Sequence, residues 1–72
     1  MILIFTNHAK KRMIERNISE EEIREIIDFP DYTVSKEGKI EAHKKINNKN
    51  LKIIYYKEGK FIKIATVIDR TQ

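Results

Sequence analysis

Apolar and polar positions follow two different periods along this chain, and the change from one to the other divides it. Ile2-Leu3-Ile4-Phe5 is an unbroken β-branched and aromatic run that ends at Thr6 and Asn7, either of which can cap a helix. It predicts a buried strand. From Asn7 to Arg16 there is no glycine or proline, and Ala9 and Met13 stand four apart on one side while His8, Arg12 and Arg16 form a polar stripe. That is the pattern of a short amphipathic helix. In Ile18-Ser19-Glu20-Glu21-Glu22-Ile23, Ser19 and Glu22 are spaced to bond each other's backbone amides as a capping box, with Ile18 and Ile23 as the flanking staple. Three glutamates in the first turn complement the positive end of the helix dipole. The spacing predicts a second helix over residues 19–28, with Ile23, Ile26 and Ile27 as its core stripe. It stops by Phe29, because Pro30 biases the preceding residue away from helical geometry.

Beyond Pro30 the period becomes two. Residues 32–36, 39–47, 51–56 and 61–68 read as strands, broken by turn residues at Glu37-Gly38, Asn47-Asn48-Lys49-Asn50 and Glu58-Gly59. Three successive hairpins make an antiparallel meander. The expected architecture is a single α+β domain over residues 1–72: a strand, two helices, then three or four antiparallel strands, with the helix pair covering one sheet face. Alternation puts Ile40, Ala42, Ile46, Ile62, Ile64 and Ile68 under the helices. Glu41, His43, Lys45, Lys63, Ala65 and Val67 then fall on the opposite face, joined by Lys52 and by Tyr55 or Tyr56. That face is basic with interleaved aromatics.

Composition narrows the chemistry. Apolar residues make up 40% of the chain, enough for one core under one sheet. There is no cysteine, which removes disulfides and thiolate zinc sites, and His8 and His43 match no usual metal-ligand spacing. No metal or cofactor is implied. The longest fully apolar run, residues 1–5, is too short for a signal segment or a membrane span, so a soluble, cytoplasmic protein is expected. The formal net charge is +4. Residues 1–28 carry five basic and six acidic groups and residues 29–72 carry ten and five, so a polyanion should meet the second half first.

Two groups of residues can carry chemistry. The i, i+4, i+8 spacing keeps His8, Arg12 and Arg16 on one side of the first helix, where two guanidiniums can hold a phosphate between them. His8 lies in the first turn, where the dipole and nearby cations favour the neutral imidazole, the form that accepts a proton from a hydroxyl. The competing reading ties Arg12 and Arg16 to Glu15 or to carboxylates of the second helix. The other group is the basic sheet face, where Lys45 and Lys52 can hold a phosphate backbone, a tyrosine such as Tyr56 can stack a base, and His43 can move a proton. There the competing reading is a row of exposed lysines that guards the sheet against association. Thr66, polar between Ile64 and Ile68, reads as a core threonine bonded to backbone or as a substrate contact. Phosphate loops, dinucleotide fingerprints, zinc-protease motifs and nucleophile elbows do not occur.

Phe5-Thr6-Asn7-His8-Ala9, Arg12-Met13, Glu15-Arg16-Asn17-Ile18-Ser19, Glu22-Ile23 and Phe29-Pro30-Asp31 together resemble the opening of the family called domain of unknown function 4258. Leu51-Lys52-Ile53-Ile54-Tyr55 and Ile64-Ala65-Thr66-Val67 resemble its closing strands. Asn17 stands where the family often has glycine, and asparagine is the next most tolerant residue at a left-handed helix end. The family is placed beside the RelE- and ParE-like toxins. By that resemblance the chain is expected to adopt their sandwich and to act as a small metal-independent endoribonuclease. The alternative is a non-catalytic module of a toxin-antitoxin-like system that binds nucleic acid or protein. The resemblance puts the roles on His8, Arg12, Glu15 and Arg16, with a lysine of the 43–45 region as a further candidate. RNA and an antitoxin-like protein are the partners it implies, and a dimer is compatible with so small a domain.

Overall fold

The structure, a computed structural model, describes residues 1–70 of the chain. These form β1 (Ile2–Phe5), α1 (Asn7–Arg16), α2 (Glu20–Asp28), β2 (Tyr32–Lys36), β3 (Lys39–Ile46), β4 (Lys49–Glu58) and β5 (Phe61–Asp69). One five-stranded mixed sheet has the order β1-β5-β4-β3-β2. The last four strands are the expected meander, and β1 lies parallel to β5 at one edge.

Local chemistry sets the helix boundaries. Thr6 is the N-cap of α1, its hydroxyl accepting from the Ala9 amide at 3.1 Å, and Asn17 ends the helix in the left-handed region at φ 54°. The Ser19–Glu22 capping box opens α2, with bonds of 2.9 and 3.1 Å. All three hairpins close on two residues, as the partners Lys36↔Lys39, Ile46↔Lys49 and Glu58↔Phe61 require. Glu37 and Gly38, like Asn47 and Asn48, all have positive φ, the geometry that matches the twist of paired strands. The Asn47-Asn48 loop is thus shorter than the four-residue break in the sequence pattern, and β4 starts two residues earlier than residue 51.

The helices lie side by side on one face, α1 over β5 and β1, α2 over β3 and β4. Beneath them the core is built from Ala9, Ile18, Ile23, Ile26, Ala42, Leu51, Ile53, Tyr55, Ile62, Ile64 and Val67. Ile40 and Ile46 pack against it, as alternation predicts. Three expectations change. Ala65 is an extra residue in β5: Ile54 pairs with Thr66 but Tyr55 pairs with Ile64. This bulge reverses the alternation, so Val67 is fully buried and Ile68 faces outward, opposite to the simple period-two reading. For the same reason Thr66 leaves the core side. Finally, β1 is an edge strand buried on one face alone: Leu3 and Phe5 pack on the core while Ile2 and Ile4 are 52% and 44% exposed. A four-residue apolar run reads as buried on both faces, but no second layer covers the far side of this sheet among the described residues.

Candidate functional site

β1 pairs with β5 no further than Phe5↔Ile64. The chain then leaves the sheet at Thr6, whose amide donates to the Ile64 carbonyl at 3.1 Å and whose hydroxyl donates to the Ala65 carbonyl at 2.9 Å. Thr6 therefore caps α1 and pins its first turn to the bulge. Beyond that point no strand lies on this side of β5 among the described residues. The open edge and the adjoining flank of α1 enclose a cavity of about 310 Å³, lined by His8, Arg12, Arg16, Thr66, Val67, Ile68 and Asp69.

The helix spacing places His8, Arg12 and Arg16 along one wall, and residues 66–69 of β5 form the other. Neither guanidinium forms an ion pair with Glu15, α2 or any other described residue. The five ion pairs among the described residues are Arg24–Glu20, His43–Glu41, Lys44–Asp31, Lys49–Glu22 and Lys52–Glu41. Buried side-chain polar atoms among them all have partners. Glu15 is exposed on α1 and does not line the cavity. Two arginines four residues apart, without ion-pair partners among the described residues, share this cavity with Thr66 and Asp69, and guanidiniums so spaced can hold an anion between them. The imidazole on the same wall can exchange a proton with whatever the arginines hold.

The second group lies elsewhere. His43 and Lys45 line a separate cavity of about 240 Å³ with Asp31, Tyr32, Lys44, Asn50, Leu51 and Arg70. His43 is 8% exposed, stacks on Tyr32 with ring centroids 4.4 Å apart, and has Nε2 at 3.7 Å from Glu41. Lys52 Nζ lies 3.4 Å from the same carboxylate. Desolvation pushes the Glu41 carboxyl up, but Lys52, Lys39 and His43 outweigh it and hold the group below its ordinary value. His43 and Lys52 are thus committed to a local network, and the structure brings neither His43 nor Lys45 to the His8 cavity. Of the two tyrosines, Tyr56 is the exposed one; Tyr55 lies in the core, where burial pushes its phenol up.

Sequence reasoning missed Asp69 and Ile68 as cavity residues. Both follow a bulge that no local signal marks, because Ala65 is an ordinary strand residue between two apolar neighbours.

The molecule is a small α+β protein with two helices on one face of a mixed sheet and an arginine-lined cavity where the edge strand stops. The family profile described as Domain of unknown function (DUF4258) matches residues 5–71, and the chain belongs to that family. Comparison with curated proteins and with solved structures gave no match.

Proposed function

We propose that the protein is a toxin-type endoribonuclease that cuts RNA by internal attack of a 2′-hydroxyl, with the cavity beside α1 as its active site. The observation that supports this most is the pair of guanidiniums, Arg12 and Arg16, without ion-pair partners among the described residues, on the cavity wall that carries His8. The order of a strand, two helices and then antiparallel strands also agrees with the β-α-α-β-β-β arrangement expected of a relative of RelE- and ParE-like toxins, with one further strand. In the reaction His8 takes the 2′-hydroxyl proton, the 2′-oxygen bonds to phosphorus, and the P–O5′ bond breaks. The products are a 2′,3′-cyclic phosphate and a 5′-hydroxyl end, the leaving oxygen taking its proton from water. Arg12 and Arg16 stabilise the charge that builds on the phosphorus oxygens, and the Thr66 hydroxyl donates to one of them. Because the nucleophile belongs to the substrate, the protein has to supply position, charge and a base.

Incubation of the purified protein with a labelled oligoribonucleotide should yield 5′-hydroxyl and cyclic-phosphate ends. His8→Ala should slow this by about 10²-fold or more, the usual contribution of a general base. Arg12→Ala and Arg16→Ala should each slow it as well. A His8→Ala/Arg12→Ala double variant that cleaves like the parent protein overturns the proposal. So does a folded parent protein that cleaves no RNA, which leaves the reading of a non-catalytic binding module.

A further inference from the structure

The sheet face turned away from the helices has no covering layer among the described residues, and its cross-strand rows differ in how their charges are satisfied. One row, Ile68, Lys52, His43 and Tyr32, is occupied with itself: Lys52 and His43 share Glu41, and Tyr32 lies on the imidazole. A parallel row runs from Ile4 of β1 through Lys63, Tyr56 and Lys39 to Lys36 of β2, by the partners Ile4↔Lys63, Tyr56↔Lys63, Lys39↔Tyr56 and Lys36↔Lys39. None of its three lysines forms an ion pair within 4.0 Å among the described residues, and of the three only Lys39 acts on the Glu41 carboxylate, at longer range. Lys36 and Lys39 stand directly opposite each other, an arrangement that costs stability unless an anion lies across it. Tyr56, 38% exposed, sits between two of the ammonium groups.

We infer that the row Lys63–Tyr56–Lys39–Lys36 is a binding track for single-stranded RNA leading to the cavity beside α1. The assignment of RNA as the ligand rests on the proposed nuclease reading, but binding to the track is measured without cleavage. Successive members of the row are about 4.8 Å apart, one strand spacing, so Lys63 and Lys39 flank the tyrosine ring at about that distance on either side. A base stacked on Tyr56 would carry its phosphates towards those lysines, the combination by which single strands are held without sequence preference. A base can stack on Tyr56 only when its face is not already stacked inside a duplex, so the bases must be unpaired. The track adjoins the cavity: Ile54, two residues from Tyr56 on β4 and thus about 7 Å away, pairs with Thr66 of the cavity wall. A second copy of the chain is a poor occupant, since a two-fold contact would bring the lysines of the row together. An acidic amphipathic helix fits less well, because it needs a continuous apolar seam and lysines interrupt the apolar residues here.

The test is fluorescence anisotropy with a labelled single-stranded 2′-O-methyl oligoribonucleotide, whose blocked 2′-oxygens prevent cleavage, over a range of salt concentrations. Tyr56→Ala should weaken binding about 5- to 150-fold, the loss of one stacked base, and Tyr56→Phe should restore it. Lys39→Gln/Lys63→Gln should lower the slope of log affinity against log salt by about 1.4, two single-strand phosphate contacts. Lys57→Gln, paired with Ile62 on the helix-covered face, should leave affinity within about twofold. Parent-like binding by Tyr56→Ala and by the lysine double variant overturns the track, as does equal affinity for duplex RNA. Tighter binding of polyglutamate than of RNA overturns it too, in favour of a protein-docking face. Loss of cleavage in His8 variants that still bind the oligonucleotide through Tyr56 keeps track and active site distinguishable.

Discussion

Glu22 shows how much one side chain can hold together. It closes the capping box with Ser19, accepts from Asn47 Nδ2 at 2.9 Å in the β3–β4 turn, and lies 3.6 Å from Lys49 Nζ. Desolvation pushes its carboxyl up, but the bond from the Ser19 amide, the Asn47 bond and the Lys49 charge outweigh it and leave it below its ordinary value of 4.5. A carboxylate whose folded value is lowered contributes stability that is complete above its unfolded value and lost as pH falls through the folded one. The melting temperature should therefore drop on acidification below about pH 4.5, and that part of the drop should be missing in Glu22→Gln. Circular-dichroism melts of the two proteins at successive pH values, from neutral down into the acid range, make the comparison. Parallel curves would show that Glu22 contributes nothing through its charge.

Among the elements, β5 has the largest effect on the site. One extra residue, Ala65, moves Val67 into the core and turns Thr66 and Ile68 outward, and the carbonyl of Ala65 anchors the Thr6 cap of α1. The bulge therefore turns Thr66 out of the core at the rim of the cavity and ties α1 to the strand that carries it. Paired substitutions test this. Val67→Ala should cost about 2 kcal/mol, as expected for a fully buried aliphatic side chain, whereas Ile68→Ala should cost under about 1 kcal/mol. Chemical denaturation measures both, and equal or reversed costs would mean that β5 continues its alternation without a bulge.

For the molecule as a whole, placing both helices on one face leaves the other free for ligands. It also leaves two readings of α1 that stability can separate. If Arg12 and Arg16 served to tie the helices together, replacing them would lower the melting temperature. Without ion-pair partners among the described residues, Arg12→Ala and Arg16→Ala should each change stability by no more than about 0.5 kcal/mol, or about 4 °C in a domain of this size. A thermal melt that falls well beyond that would assign them a structural role. Among the described residues no helix is long and apolar enough to cross a membrane.

What the sequence determined by itself was everything settled within a few residues. The Ser19–Glu22 box, the asparagine helix end at Asn17, the stop before Pro30, the paired hairpin residues and the His8-Arg12-Arg16 stripe all depend on neighbours at fixed short spacing, where backbone geometry leaves few choices. The α+β order and most face assignments followed from the same short-range periods. Tertiary structure decided what depends on register between distant strands: the bulge at Ala65, the turning of Thr66 out of the core to the rim of the cavity, β1 as a half-covered edge, and the separation of His43 and Lys45 from His8. The physical reason is that strand alternation has a period of two, so a single inserted residue exchanges inside for outside for the rest of the strand. Its position is selected by packing against the helices and by pairing with β1 and β4, not by the residue that occupies it.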